Sequence, residues 1–268
     1  MAKANEGDIQ FMKPRVCILK ADGTNCDKET AYAFTQAGAA VNTVLINHLR
    51  SGYETLQNYQ ILVIPGGFSY GDDVASGKIL TVELLSFLKE ELEQFLLRDT
   101  LILGICNGFQ VLVRMGLLPF KKLGSMDVTL SHNDSGNFEC RWVKMVVEQT
   151  SCIFTQKLEG QEILLPVAHG EGKLYTSEET INQLEQERHI PLRYSFNGKT
   201  TQDYPHNPNG SLRAVAGLCD KSGRIFGLMP HPERFVMTYH YQDWRRQTCS
   251  SPHGTIFFQN AVNYFRNT

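Results

Sequence analysis

The chain has 268 residues, of which 42% are hydrophobic and 20% are charged, and its formal net charge is −2. This composition is typical of a folded, soluble protein with one large domain or two small ones. The lack of a basic excess argues against binding to nucleic acid or to an anionic membrane surface. No apolar stretch approaches the roughly 20 residues that span a bilayer.

The N-terminal segment and the cysteines bear on the cellular compartment and the domain organisation of the protein. Residues 1–14 are polar and lack the apolar segment of a secretory signal, so we predict a flexible N-terminal arm there and one domain over 15–268. The seven cysteines are irregularly spaced and form no CxxC pair. This usage disfavours a disulfide framework or a zinc ribbon and favours a reducing cytoplasm.

The first half of the chain alternates short apolar runs with helical patterns. The apolar runs predict strands at 15–19, 41–46, 60–64 and 100–105. Apolar side chains spaced by three and four residues predict helices at 27–38, 78–98 and 108–115. Strands that alternate with helices imply parallel βαβ units, and therefore a doubly wound α/β sheet.

After Leu118 the segments are β-rich and separated by turn residues, which predicts antiparallel or mixed strands added to the same sheet. Residues 195–211 are rich in Asn, Gly and Pro and predict a surface loop. The chain closes with an amphipathic helix. The expected α/β fold is a single, mostly parallel, flavodoxin-like sheet with helices on both faces and added antiparallel strands.

A cysteine stands between two glycines directly after a predicted strand, in Gly104-Ile105-Cys106-Asn107-Gly108. Flanking glycines let the backbone turn sharply around a nucleophile, as in the G-x-S-x-G elbow. The helix that follows directs its N-terminal amides at the sulfur, an environment typical of reactive cysteines. The alternative is a buried structural thiol, and a neighbouring base is needed to decide between the two.

The chain contains eight histidines that are candidates for this base. Four of them lie in polar surroundings and are expected at the surface, namely His189, His206, His240 and His253. His169 and His231 each follow an apolar run. Pro232 stiffens the link between His231 and Glu233, so Cys106, His231 and Glu233 form the preferred triad. His169 is the second choice, because its flanking glycines indicate close backbone approach to a ligand.

The segment "VIPGGFSYGDD" at 63–73 places a Pro-Gly-Gly turn after another predicted strand. Glycines at such a turn can present backbone N–H groups to a developing oxyanion. An ordinary tight turn is the alternative. The spacing matches neither the GxxxxGK[ST] phosphate loop nor the GxGxxG dinucleotide motif.

Three of these segments occur together, in the order "PGGFSYGDD", "ILGICNGFQ" and "MPHPE". They resemble the oxyanion loop, the nucleophile motif and the His-x-Glu pair of class I glutamine amidotransferases, and the similarity runs over nearly the whole chain from about Arg15. "GTNCD" (23–27), "NFECRW" (137–142) and "AHGEG" (168–172) resemble, more narrowly, the purine-biosynthetic members of that family.

The resemblance implies that the Cys106 thiolate attacks the side-chain carboxamide of glutamine, that His231 passes a proton to the departing ammonia, and that Glu233 holds His231. It places the amides that stabilise the oxyanion at Gly66, Gly67, Phe68 and Asn107. It places a contact to the amino-acid end of glutamine at Gln110, and further contacts to glutamine, largely through the backbone, at His169, Gly170 and Glu171. Cys26, in "GTNCD", is expected to be structural or to line the pocket.

The resemblance also implies a partner for this chain. Ammonia would pass to a separate synthetase subunit that uses ATP and Mg²⁺, with or without a small accessory subunit, while this chain binds no cofactor and no metal. No ATP-binding segment is apparent in the sequence, which is in keeping with a chain that supplies only the glutaminase half.

Three other functions are compatible with parts of the pattern. A class I amidotransferase that serves a different acceptor would share the triad. A regulatory module that keeps the fold without the reaction would be expected to lack a triad member, and all three are present. A cysteine hydrolase of the elbow type would need an acid between Cys106 and its histidine, which the sequence does not show cleanly.

Overall fold

The computed structural model describes residues 13–246 and 251–266. The predicted N-terminal arm at 1–14 lies outside these residues except for its last two positions, and Cys249 lies outside them as well. No helix in the described ranges is both long enough and apolar enough to cross a membrane.

The described part of the chain forms twelve strands and seven α-helices. The strands are β1 Arg15–Lys20, β2 Ala40–Leu45, β3 Ile61–Ile64, β4 Leu101–Ile105, β5 Thr129–His132, β6 Glu139–Val147, β7 Glu162–His169, β8 Glu171–Tyr175, β9 Leu192–Phe196, β10 Lys199–Thr200, β11 Val215–Cys219 and β12 Ile225–Leu228. The helices are α1 Asp27–Gln36, α2 Ile46–Arg50, α3 Lys78–Phe87, α4 Lys89–Leu97, α5 Asn107–Arg114, α6 Glu178–Gln186 and α7 Thr255–Tyr264.

Ten strands form one sheet in the order β2-β1-β3-β4-β12-β11-β9-β6-β7, with β10 paired to β9. The strands from β2 to β12 in this order are parallel, and the strands from β11 to β7 are joined antiparallel. Every residue of β3 and β4 is buried, as their continuous apolar sequences require at the centre of a covered sheet. The predicted α/β fold is confirmed.

Two strands from the second half do not join the main sheet. β5 pairs antiparallel with β8 in a separate two-stranded sheet, so the prediction that the later strands extend one sheet is wrong for these two segments. The periodicity of a strand shows which face is buried but does not identify its hydrogen-bonding partner.

The predicted helix at 78–98 is two helices, α3 and α4, which meet at Leu88. Leu88 has φ −123° and ψ 12°, outside the helical region. Its side chain is as buried as those of Leu84 and Leu92, so the apolar spacing continues across the bend. An apolar spacing of three and four residues in the sequence therefore cannot reveal that a helix is interrupted at a single residue.

The predicted surface loop at 195–211 is buried at its C-terminal end. Asn209 is fully buried and its Nδ2 donates to Gly172 O at 2.8 Å. Asn207 Nδ2 donates to Ser211 O at 2.9 Å. The polar composition predicted exposure, but these amide side chains replace main-chain hydrogen bonds and let an irregular segment be buried.

Candidate active site

Cys106 lies on the turn between β4 and α5, at the carboxyl end of a central strand. Its backbone has φ 51° and ψ −104°, and its N–H donates to Leu228 O of β12 at 2.8 Å. A Cβ on Gly108 would lie 1.8 Å from Ile64 O, and one on Gly104 would lie 2.6 Å from Gly108 O. Both glycines are therefore required for the close packing that holds Cys106 in this strained turn.

His231 and Glu233 form a buried pair just beyond the end of β12. Nδ1 of His231 lies 2.6 Å from Oε1 of Glu233, and each residue is 1% exposed. Pro232 begins the short 3₁₀ turn that joins them. The backbone N–H of His231 donates to Pro166 O of β7 at 2.8 Å, which fixes the start of this turn against the sheet.

The charge state of His231 is set by opposing effects. Burial disfavours the imidazolium, but the carboxylate of Glu233 and the thiols of Cys106 and Cys26 raise the pKa of His231 well above its ordinary value. The Cys106 thiol is 5% exposed and donates to Ala168 O at 3.6 Å. Cys106, after β4, is thus close enough to His231, after β12, to act on its pKa, and Glu233 holds the other side of the ring; among the described residues Nε2 of His231 has no hydrogen-bond partner.

The glycine turn after β3 lies beside this triad. A Cβ on Gly66 would lie 2.8 Å from His231 Cε1, so only glycine fits there. Gly67 has φ +134°. The N–H of Phe68 donates to Gly23 O at 3.1 Å, which contradicts its predicted use as an oxyanion donor. Gly66, Gly67 and Asn107 are left as candidate donors.

Side chains on α5 connect three parts of the site. Asn107 accepts a hydrogen bond from Ser69 Oγ at 2.6 Å and donates to Asp72 Oδ1 at 3.0 Å. Gln110 Nε2 donates to the backbone oxygen of Glu171 at 2.6 Å. Burial raises the pKa of Asp72. Sequence reasoning missed Ser69 and Asp72, although both stand in the quoted "FSYGDD".

His169, the second candidate for the base, lies near His231. The Cys106 thiol is hydrogen-bonded to Ala168 O and not to the His169 ring. Nδ1 of His169 lies 3.1 Å from Asn133 Oδ1. Burial, together with the nearby His231, lowers the pKa of His169 to about 3, so its ring is neutral at physiological pH. Asn133 also binds the backbone oxygens of His169 and Gly170, at 2.8 and 3.0 Å, and thereby fixes the turn between β7 and β8.

Sequence reasoning missed Asn133 because a turn asparagine carries no tertiary signal. The prediction that His189 lies at the surface is also wrong. His189 is 1% exposed, and its Nδ1 lies 2.8 Å from Cys219 O. Its ring packs edge-on against Phe120 at 5.5 Å, a contact from a segment distant in sequence.

The "GTNCD" segment forms the support of the glycine turn. Phe68 N–H bonds to Gly23 O, and Cys26 N–H donates to Gly66 O at 3.3 Å. Gly23 has φ +80°, and a Cβ there would lie 2.0 Å from Phe68 O. The two loops therefore pack backbone against backbone, a relation that neither motif shows on its own.

Three donor atoms in this region have a spacing that a metal ion can use. Ligand atoms of Cys26, His231 and Glu233 lie within 4.8 Å of one another. However, Nδ1 of His231 is hydrogen-bonded to Glu233, and Arg234 Nη2 donates to Cys26 Sγ at 3.1 Å. A guanidinium on the sulfur opposes a second cation, so the arrangement favours proton transfer over metal binding.

A thiol on a strand-to-helix turn, a buried His–Glu pair beside it and a glycine turn next to both are the arrangement typical of an α/β enzyme with a cysteine nucleophile. Comparison with known proteins is more specific. Residues 13–265 match the family model of the CobB/CobQ-like glutamine amidotransferase domain.

Two curated relatives and one solved structure match nearly the whole chain. The relatives, from Dehalococcoides mccartyi and Methanococcus maripaludis, are both named phosphoribosylformylglycinamidine synthase subunit PurQ. The first is 44% identical, covering 95% of this chain and 98% of that protein, and the second is 39% identical, covering 94% and 97%. A chain in the structure of PurLQS from Thermotoga maritima is 33% identical with a TM-score of 0.73, covering 94% of this chain and 99% of that one.

The chain therefore belongs to the glutamine amidotransferase family, and within it to the PurQ subunits of phosphoribosylformylglycinamidine synthase. The resemblance inferred from the sequence motifs is confirmed.

Proposed function

We propose that this chain is the glutaminase subunit of phosphoribosylformylglycinamidine synthase in de novo purine biosynthesis, with Cys106, His231 and Glu233 as its catalytic triad. The observation that carries the assignment of the triad is the buried 2.6 Å pair of His231 and Glu233 beside the thiol on the strained turn. The names of the relatives support the choice of enzyme.

The first chemical step is attack by Cys106. Its thiol proton passes to His231, and the sulfur forms a bond to the side-chain carboxamide carbon of glutamine while the carbonyl π electrons move to oxygen. The backbone amides of Gly66, Gly67 and Asn107 are proposed to stabilise the resulting oxyanion, since the Phe68 amide is bound to Gly23.

His231 then acts as an acid. It donates its proton to the carboxamide nitrogen, the C–N bond breaks, ammonia departs, and a γ-glutamyl thioester remains on Cys106. A water molecule that loses a proton to His231 attacks the thioester carbon. The C–S bond breaks, glutamate leaves, and the thiol recovers its proton from His231.

Glu233 orients this proton transfer. Its Oε1 accepts the Nδ1 proton of His231, which directs Nε2 toward the thiol side of the site and stabilises the imidazolium. The contacts to the amino-acid end of glutamine are assigned to the wall formed by Gln110 and by residues 169–171. The 2.6 Å bond from Gln110 to Glu171 O supports this, because it joins α5 to β8 at that wall.

The proposal extends to the partner. Ammonia passes to a synthetase subunit that uses ATP and Mg²⁺ to convert formylglycinamide ribonucleotide to formylglycinamidine ribonucleotide, in a cytoplasmic complex with or without a small accessory subunit. The match to a chain from PurLQS supports a multi-subunit complex. No cofactor is assigned to this chain.

The test is glutamine hydrolysis by the wild type and by Cys106→Ala, with and without the cognate synthetase subunit. We expect hydrolysis that increases with the partner and disappears in Cys106→Ala. Cys140→Ala, which removes an exposed thiol, is the matched control and should keep wild-type activity. Activity retained in Cys106→Ala, or no hydrolysis by the wild type with any partner, would overturn the proposal.

A further inference from the structure

A second thiol, Cys26, lies against the imidazole of the triad, and the mechanism above does not use it. Cys26 is fully buried, and its Sγ lies within 4.8 Å of a ligand atom of His231 and of a carboxylate oxygen of Glu233. A Cβ on Gly66 would lie 3.3 Å from this sulfur and 2.8 Å from His231 Cε1, so the three groups are packed together.

The backbone of Cys26 is held from two sides. Its N–H donates to Gly66 O at 3.3 Å, which ties it to the glycine turn. Its carbonyl oxygen accepts from the backbone N–H of Thr30 at 3.2 Å and from Thr30 Oγ1 at 2.6 Å, which ties it to the first turn of α1. A side chain that starts from a backbone fixed in this way is confined to a narrow position.

The sulfur also holds a charged neighbour of the triad. Arg234 Nη2 donates to Cys26 Sγ at 3.1 Å, and Arg234 Nε lies 4.0 Å from Glu233 Oε1. The guanidinium is therefore kept beside the carboxylate that orients His231.

We propose that Cys26 is a positioning residue for glutamine hydrolysis, whose sulfur, together with Arg234, fixes the orientation of the His231–Glu233 pair. This inference rests on the proposed function. Loss of the sulfur would open space beside the imidazole and release Arg234, so that His231 could turn away from the line between thiol and substrate.

The test compares Cys26→Ala and Cys26→Ser with Cys17→Ala in the complex with the synthetase subunit. Cys17 is a matched control, because it is an equally buried thiol within β1. Replacing either cysteine by alanine removes the same atom from the interior, so a general loss of stability should be similar in the two variants.

For Cys26→Ala we expect kcat to fall about 10-fold with KM for glutamine within about 2-fold of wild type, since displacement of a reacting group by about 1 Å can cost up to 10²-fold. Cys26→Ser keeps an acceptor for Arg234 and should recover most of the loss. Cys17→Ala should have wild-type kcat.

The dependence of kcat on pH distinguishes a positioning role from a packing role, because a loss of packing alone would not shift it. Glu233, Cys106, Cys26 and His169 are the titratable groups that act on His231, and Cys26 is one of those that raise its pKa. Removal of Cys26 should therefore move the alkaline limb of kcat to lower pH, because the imidazolium that protonates the leaving carboxamide nitrogen is lost at a lower pH. Arg234→Gln combined with Cys26→Ala should cost less than the sum of the two single changes, since both act on one unit.

An unchanged kcat and pH profile in Cys26→Ala would overturn the inference, as would an equal change in Cys17→Ala. If Cys26→Ala does not fold, Cys26→Ser combined with Arg234→Gln gives the same comparison, and wild-type kinetics there would overturn the inference. Failure of the proposed function is a different result, because then the wild type itself would not hydrolyse glutamine.

Discussion

Nδ1 of His231 and Oε1 of Glu233 lie 2.6 Å apart in the interior of the protein, two residues apart in sequence and joined through a proline. The carboxylate reaches the imidazole through a single short turn, so its position is determined by local backbone geometry. In the triads of α/β-hydrolases, by contrast, the acid precedes the histidine in the chain.

The first prediction concerns this hydrogen bond. Glu233→Gln keeps the shape of the side chain but removes the charge that stabilises the imidazolium. We expect kcat for glutamine hydrolysis to fall by about 10³- to 10⁴-fold with little change in KM, as for the loss of the acid in other triads. Steady-state assays of the complex with the synthetase subunit measure both constants.

Glu185→Gln is the control for this change. It removes a carboxylate that pairs with Arg193 and Arg213 away from the triad, and wild-type kinetics are expected. A Glu233→Gln variant with kcat within about 10-fold of wild type would show that the carboxylate is not needed to orient the base.

The second prediction concerns stability in acid. His169 has a folded-state pKa of about 3, below the ordinary value of about 6.5 in the unfolded chain. Between these values the unfolded chain binds the proton and the folded protein does not, so the free energy of unfolding decreases as pH falls. His169 contributes at most about 1.4 kcal/mol per pH unit to the slope of the free energy of unfolding against pH.

Urea unfolding of the wild type and of His169→Gln at several values between pH 7 and pH 4 measures this slope. The variant cannot take up a proton at this position and should lose less stability as the pH falls. Parallel curves for the two proteins would contradict a depressed pKa at His169.

The third prediction concerns the support of the glycine turn. In Gly23→Ala the new Cβ would lie 2.0 Å from Phe68 O, at a backbone with φ +80°. The turn must move, so we expect a loss of several kcal/mol in stability and at least a 10-fold loss of kcat. Thermal or urea unfolding, together with glutamine hydrolysis, measures both effects.

Gly124→Ala separates the two causes. Gly124 has φ +88°, but a Cβ there would have nothing within 4 Å. Gly124→Ala should lower the free energy of unfolding by only about 1 kcal/mol, the cost of placing alanine in the left-handed backbone region, and should leave kcat unchanged. Equal effects of the two substitutions would mean that contact between the two loops does not control the glycine turn.

The parts of the site that could be predicted from the sequence are those that short segments determine. Cys106 stands in a strand–turn–helix motif in which a Cβ on Gly104 would lie 2.6 Å from Gly108 O, so the reason for this glycine lies within five consecutive residues. The proximity of His231 and Glu233 likewise follows from three consecutive residues.

The features that sequence reasoning missed or misjudged depend on contacts between distant segments. The amide of Phe68 looks available in its own loop, and only the pairing with Gly23 shows that it is occupied. His189 is polar in its local sequence but is covered by Phe120. Leu88 continues an apolar pattern across a bend, because burial is retained there while the backbone angle is not.

The strand β12 has one parallel neighbour, β4, and one antiparallel neighbour, β11. It is thus the seam between the two halves of the sheet, and His231 follows directly after it. The turn that carries Cys106 is itself hydrogen-bonded to Leu228 of β12, three residues before His231, so the support of the thiol and the imidazole come from the same segment. Under the proposed assignment of the triad, a chain that ended before β12 would therefore lack both the support of this turn and its base, and we expect it to consume no glutamine.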